Sequence, residues 1–227
     1  MAGTGNRQGR RLAGTVAIGC AVLCGCVHTV DGAARSGSGA EGPPPPLAEM
    51  LVPPTAFPPV YEAVILDAQG ASEAVRDIDA IPAGATVEPT DCAPPPVDEA
   101  VAARGVDPGT GAALTVALVR TDEDLDRRRN QILRCAAFTA TAGEVVSAVQ
   151  TAVLPPRPVD ADDSLASESA IRRADTPEVR MLTLIAQIDD VRVIAALSND
   201  DPVADPDTTA LDALFADAVV SVRRGLG

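Results

Sequence analysis

Two apolar runs, residues 179–188 and 191–197, flank Asp189-Asp190, and this spacing predicts a β-hairpin closed by a tight turn. Downstream, Leu211, Leu214, Phe215, Ala218, Val219 and Val222 recur at three- and four-residue intervals. That period predicts an amphipathic helix. Asp207 or Thr208 is placed to cap it, and Arg223 and Arg224 fall in its last turn, where the helix dipole favours a cation.

The same reading runs back through the chain. Residues 114–120 are apolar and β-branched and predict a strand. Residues 135–141 alternate toward a second strand, and residues 144–154 form a third that Pro155, Pro156 and Pro158 stop. Between the first two, Asp122, Glu123, Asp124 and Asp126 open a helix to Arg134, with Leu125, Ile132 and Leu133 expected to face the sheet. Residues 63–80 predict a helix through Ala71, Ala74, Val75 and Ile78, with Ser72 as its cap, ended by Pro82 and Gly84. Residues 98–104 predict a short helix. Residues 164–173 read equally as an edge strand or a helix. Residues 47–61 contain four prolines and predict a helical turn followed by an extended strap that lays Phe57 and Tyr61 on the core. The resulting fold class is α+β: a mostly antiparallel sheet packed against helices, with one disulfide and a C-terminal hairpin followed by a helix.

The N-terminus follows a different pattern. Arg7, Arg10 and Arg11 precede an apolar run over residues 12–22, and the first acid is Asp31. A membrane span needs about 20 apolar residues, so this run is too short to cross and has the flanks of a secretory signal. Its end, Leu23-Cys24-Gly25-Cys26, resembles the lipobox of bacterial lipoproteins. The resemblance implies cleavage before Cys26 and a diacylglyceryl group on its sulfur. Ala17-Ile18-Gly19-Cys20 is a competing site with a poorer −3 residue and a shorter apolar run. Two acyl chains anchor stably where one binds only marginally. Residues 27–49 lack a folding pattern; glycines and serines give way to Pro43, Pro44, Pro45 and Pro46, which favour a short polyproline II rod. The expected organisation is a signal peptide over 1–25, a lipidated Cys26 and tether over 26–46, and one extracytoplasmic α+β domain over 47–227, on the outer face of the cell membrane.

Charge narrows the partners. The chain carries a net charge of −14 and contains no lysine; loss of the three leading arginines makes the mature chain about −17. Such a balance argues against nucleic acid, whose binding needs a basic footprint, and against electrostatic docking on anionic lipid. Phe57, Tyr61, Phe138 and Phe215 are the only aromatics, too few for a surface that stacks sugars or bases.

Candidate chemistry is sparse. Cys92 and Cys135 are the cysteines left in the domain after Cys26, and an even pair in an oxidising space reads as a disulfide, the alternative being two buried free thiols. His28, the only histidine, sits in the tether beside the anchor. Asn199, Asp200, Asp201, Asp205 and Asp207 could offer oxygens to calcium, although their spacing is not that of the twelve-residue loop and they lack its glycine. The acids at 122–126 read either as a carboxylate site or as a capped, solvated helix start. There is no Gly-x-Ser-x-Gly elbow, no histidine base in the domain and no free cysteine nucleophile. No catalytic residue, metal or cofactor is assigned, and the chain is expected not to be an enzyme.

Met50-Leu51-Val52-Pro53, Phe57-Pro58, Pro89-Thr90-Asp91-Cys92-Ala93, Cys135 after a helix, and the closing hairpin and helix together resemble actinobacterial, mycobacterial-type envelope lipoproteins with a domain of unknown function. They are also similar to the extracellular sensor domains of actinobacterial serine/threonine kinases. Those sensor domains carry two disulfides; this chain can form one. The resemblance implies a binding or sensor-like module for a small or lipidic envelope ligand or an envelope protein. An accessory subunit of a membrane complex is the alternative, and a hydrolase ranks below both.

Overall fold

Apolar runs buried on both sides build the middle of the sheet. The computed structural model describes residues 43–199, 201 and 206–227. Its strands are β1 (Glu62–Ile65), β2 (Thr86–Glu88), β3 (Ala100–Val106), β4 (Ala113–Arg120), β5 (Ala137–Ala142), β6 (Val145–Leu154), β7 (Asp163–Arg173), β8 (Val179–Ile188) and β9 (Val191–Asn199). Its helices are α1 (Leu47–Met50), α2 (Ala68–Ile78), α3 (Leu125–Arg134) and α4 (Thr208–Leu226). The strands form one sheet in the order β1-β3-β4-β9-β8-β7-β6-β5-β2, with every neighbouring pair antiparallel.

Alternation along the central strands feeds two layers. Leu114, Val116 and Leu118 of β4, with Val191, Val193, Ala195 and Leu197 of β9, pack under α1 and α4. Ala117 and Val119 of β4, Ile185 of β8 and Ile194 of β9 face the opposite way, toward α2 and α3. With both faces covered, these strands read as nearly continuous apolar sequence rather than as alternation. β8 passes to β9 through Asp189-Asp190, where Asp189 takes φ 49°, a left-handed conformation that Asp tolerates better than most side chains. α4 lays Leu211, Leu214, Phe215, Ala218, Val219 and Val222 on the sheet, and Asp207 accepts from the Ala210 N–H at 3.0 Å as its N-cap.

Several expectations are corrected. Residues 98–104 are not a helix. Residues 100–106 form β3, paired with β1 and β4, because both faces of this alanine-rich segment are covered and tertiary pairing overrides alanine's helical preference. Gly105 is required there: a Cβ would meet the Phe57 ring at 2.9 Å and the Tyr61 Cβ at 3.0 Å. The helix expected over 63–80 is split. Its first residues pair as edge strand β1, and Asp67, not Ser72, caps α2 by accepting from the Gly70 N–H at 2.8 Å. Residues 164–173 belong to β7, an interior strand rather than an edge. On α3, Leu125 and Ile132 are buried as expected, but Leu133 points to solvent. Phe57 and Tyr61 are buried beneath the proline strap.

Cys92 and Cys135 form a disulfide with a Cα–Cα distance of 5.5 Å. It ties the turn at Thr90–Cys92 to the C-cap of α3 and is buried with Ile81, Val87 and Ala140.

Candidate functional site

On the second face of the sheet, α2 covers β3 and β4, and α3 covers β6 and β7. The strands between them, β8 and β9, carry no helix of their own on this side among the described residues. The result is a groove floored by Thr183, Ile185 and Ile194, with Ser167, Ser169 and Thr151 along one flank and the strap Pro94, Pro95, Pro96 and Val97 along the other. The floor is set by strand register, since Ser167 lies beside Thr183 and Thr151 beside Ser169. The Thr151 and Ser169 hydroxyls share a hydrogen bond of 2.9 Å.

Side chains bridge the groove. Asp79 follows α2 and is turned inward by the way the helix ends: the Ala80 N–H donates to the Asp77 carbonyl and the Ile81 N–H to the Arg76 carbonyl, each at 2.9 Å. This pair of hydrogen bonds is the Schellman ending, in which Ala80 takes φ 59° at a position where glycine is usual. Asp79 pairs with Arg128 of α3. Arg128 also donates to Gln131 Oε1 at 2.7 Å, and Gln131 Nε2 donates to the Ala93 carbonyl at 2.9 Å, fastening the strap. Beyond this bridge lies a second buried pair, Glu123 with Arg192 at 3.3 Å, with side chains 14% and 9% exposed. Arg192 also donates to the Glu123 carbonyl at 2.6 Å and to Gln187 Oε1 at 3.1 Å. Burial pushes the Asp79 carboxyl above its ordinary value against the pull of Arg128. Burial likewise lowers the Arg192 guanidinium against the opposing hold of Glu123. Signs alternate through the quartet, so the groove is polar with little net charge.

The open space is modest. Cavities on the two sides of the Asp79–Arg128 bridge measure about 40 and 70 Å³, room for one or two waters. A third of about 190 Å³ lies beyond the end of α2, between Arg104, Thr115, Met181, Ser198 and Arg173.

The acids at 122–126 resolve into structural duties. Asp124 caps α3 by accepting from the Arg127 N–H at 2.7 Å, Asp126 pairs with Arg129, and Glu123 holds Arg192. With Asp162, Asp163, Asp189 and Asp190 they line an open cleft of about 540 Å³ at one end of the sheet. Several of these carboxylates are neutralised: Asp190 by Arg120 at 2.5 Å, Asp163 by Arg129 at 3.0 Å and Asp162 by Arg223 at 2.8 Å. Among the described residues no group of histidine, cysteine or acidic side chains is placed to hold a metal ion. Cys20, Cys26 and His28 lie outside the described residues, as do Asp200 and Asp205 of the candidate calcium loop. Of that loop's remaining members, Asn199 Oδ1 accepts from the Asp201 N–H at 2.9 Å, and Asp207 is the cap of α4. No helix among the described residues is long and apolar enough to cross a membrane.

Asp79, Arg128 and Arg192 are not distinguished by the sequence. Their partners are distant along the chain, 49 residues for Asp79–Arg128 and 69 for Glu123–Arg192, and no local spacing announces such pairs. An arginine inside the apolar run of β9 is the one available signal.

No family model matches the chain, and no curated protein matches it. Solved structures similar to it include an uncharacterized protein from Mycobacterium smegmatis, the Rv0999 ortholog, at 20% identity and a TM-score of 0.47, covering 80% of this chain and 98% of that one. Another is the extracellular domain of PknH from Mycobacterium tuberculosis, at 13% identity and a TM-score of 0.46, covering 78% of this chain and 94% of that domain.

Proposed function

We propose that the chain is an exported, lipid-anchored binding module, sensor-like in character, that holds an envelope ligand on the α2–α3 face of its sheet. The observation that carries this reading is the gap over β8 and β9: two central strands between the flanking helices, lined with hydroxyls beneath bridging charges. Binding sites favour such concave places, where a few fixed polar groups converge on an apolar floor. The disulfide supports export, since such bonds persist in oxidising compartments. Cys26 would carry the anchor. A hydrolase has less support: among the described residues, no hydroxyl in the groove is hydrogen-bonded to a histidine or a carboxylate.

Native mass spectrometry of residues 43–227, exported by an actinobacterial host and compared before and after denaturation, tests the reading. The expected result is a non-covalent adduct lost on denaturation; a bare domain overturns it. Palmitate labelling of the full-length chain is expected to disappear in Cys26→Ser and persist in Cys20→Ser.

The accessory-subunit reading has an observation of its own. Edge strand β1 exposes Val64 and Ile65, at 57% and 60%, beside Val60 and Val106. Apolar side chains grouped on an edge strand with one open side suit strand-to-strand docking on a partner protein. Crosslinking from position 64 in intact membranes would capture that partner.

A further inference from the structure

The roughly 190 Å³ pocket beyond α2 brings two arginines together over an apolar wall. Ile171, Val179 and Met181 form an apolar wall, Thr115 and Ser198 add hydroxyls, and Arg104 of β3 and Arg173 of β7 supply two guanidiniums. In so acidic a chain arginines are readily neutralised; Arg120, Arg128, Arg129 and Arg192 each have a carboxylate within 4.0 Å. Arg104 and Arg173 have none among the described residues; Arg76, Arg127, Arg134 and Arg224 also lack one, but Arg104 and Arg173 line one pocket together. Arg104 has no hydrogen-bonded partner there either, and Arg173 spends only its Nε, on the Ser147 hydroxyl at 3.0 Å. Asp77 is the acidic residue in the lining. Although the residue is exposed overall, partial desolvation of its carboxyl and the Glu73 carboxylate raise its pKa, and Arg104, Arg76 and Arg173 pull the other way, so it feels these cations without pairing to them. Two guanidiniums therefore face one exposed carboxylate, and the pocket is left positive in a chain of net charge −14.

A half-buried guanidinium without a partner is costly, and its planar fork matches a carboxylate bidentately. The volume equals about six waters at roughly 30 Å³ each, below the range of drug-sized sites. We infer that this pocket binds a small organic carboxylate, its anionic end gripped by Arg104 and Arg173 and its short apolar body laid on Ile171, Val179 and Met181. The inference rests on the binding-module reading and names a ligand class for a second pocket on the same face of the sheet. Strand register places the pocket at the end of the sheet opposite Arg120 and Asp190, where the Pro45 carbonyl is held. The anion site is thus distal to the point where the chain enters the domain.

The test is calorimetric titration of the full-length protein, purified in a non-ionic detergent, with butyrate, succinate and inorganic phosphate at matched ionic strength. Saturable binding of butyrate or succinate is expected, weakened at least tenfold in Arg104→Gln and in Arg173→Gln. Asp77→Asn removes a competing carboxylate from an exposed helix position and is expected to tighten binding severalfold, so a poorly folded arginine variant does not decide the matter. Absence of saturable binding by both carboxylates overturns the inference, as does binding indifferent to all three substitutions. Preference for phosphate over both carboxylates overturns the assigned class. A native adduct that survives Arg104→Gln and Arg173→Gln unchanged belongs to the groove over β8 and β9 and leaves the binding-module reading in place, so failure of the carboxylate titration overturns this inference alone.

Discussion

Arg192 occupies a position on β9 that faces the same layer as Ile194 and Ala196, where an apolar side chain would ordinarily stand. It is tolerated because Glu123 and Gln187 meet its nitrogens inside the fold. Removing one partner of a buried pair is much worse than removing both, since the remaining charge stays desolvated and unpaired. Glu123→Met is therefore expected to cost about 3 kcal/mol, and Arg192→Met alone to strand the Glu123 carboxylate in the same way. The double variant Glu123→Met, Arg192→Met should recover most of that loss, because residues in direct contact are strongly non-additive. Urea denaturation of the four proteins around this cycle gives the coupling. Equal losses in the single and double variants would show that the pair contributes only packing.

The loop between β6 and β7 joins elements that the sheet alone does not connect. Asp162 accepts from the Asp189 N–H at 2.8 Å in the β8–β9 turn and receives Arg223 of α4 at 2.8 Å. The Asp189 N–H foremost, and Arg223 after it, hold the Asp162 carboxyl below the ordinary carboxylate range. The unfolded chain then binds the proton first as pH falls, so this contribution is present above the unfolded pKa of about 3.9 and is lost as pH drops through the lower folded value. Asp162→Asn should lower the urea midpoint most at pH 7, with the difference from the parent narrowing as pH falls below about 4. A difference that widens toward acid would contradict the assignment. Elements whose signal is local are legible in the amino-acid pattern: the β-branched run of β4, the strand of β6 stopped by prolines, and the period and caps of α4. β3 is not, because Ala100, Ala102 and Ala103 carry helical propensity and only pairing with β1 and β4 makes them a strand. β1 is hidden for a related reason, as its short sequence runs on toward α2. The groove is least legible of all, since it arises from where two helices do not lie, and its charges are joined across long stretches of chain.

At the scale of the whole molecule, the segment that leads into the domain decides how the domain is presented. Leu47 and Met50, each 1% exposed, pack with the core formed by α4 and the sheet. Just before them, Arg120 donates to the Pro45 carbonyl at 2.8 Å while pairing with Glu99 and Asp190. The domain is thus fastened from Pro45 onward, and the proline run ends against the acid-rich end of the sheet rather than hanging from it. A chain beginning at Pro43 should keep the melting temperature of one carrying the full tether. A chain beginning at Leu51 loses two fully buried side chains, at roughly 2–5 kcal/mol each by comparison with core truncations. For a domain of this size each kcal/mol is worth about 2–4 °C, so a fall of at least about 8 °C is expected. Equal melting temperatures for the chains beginning at 43 and 51 would mean that α1 belongs to the tether and that Arg120 does not fix its exit. The fall expected instead would place α1 inside the folded domain, so that the chain leaves it at Pro45, where Arg120 holds the carbonyl.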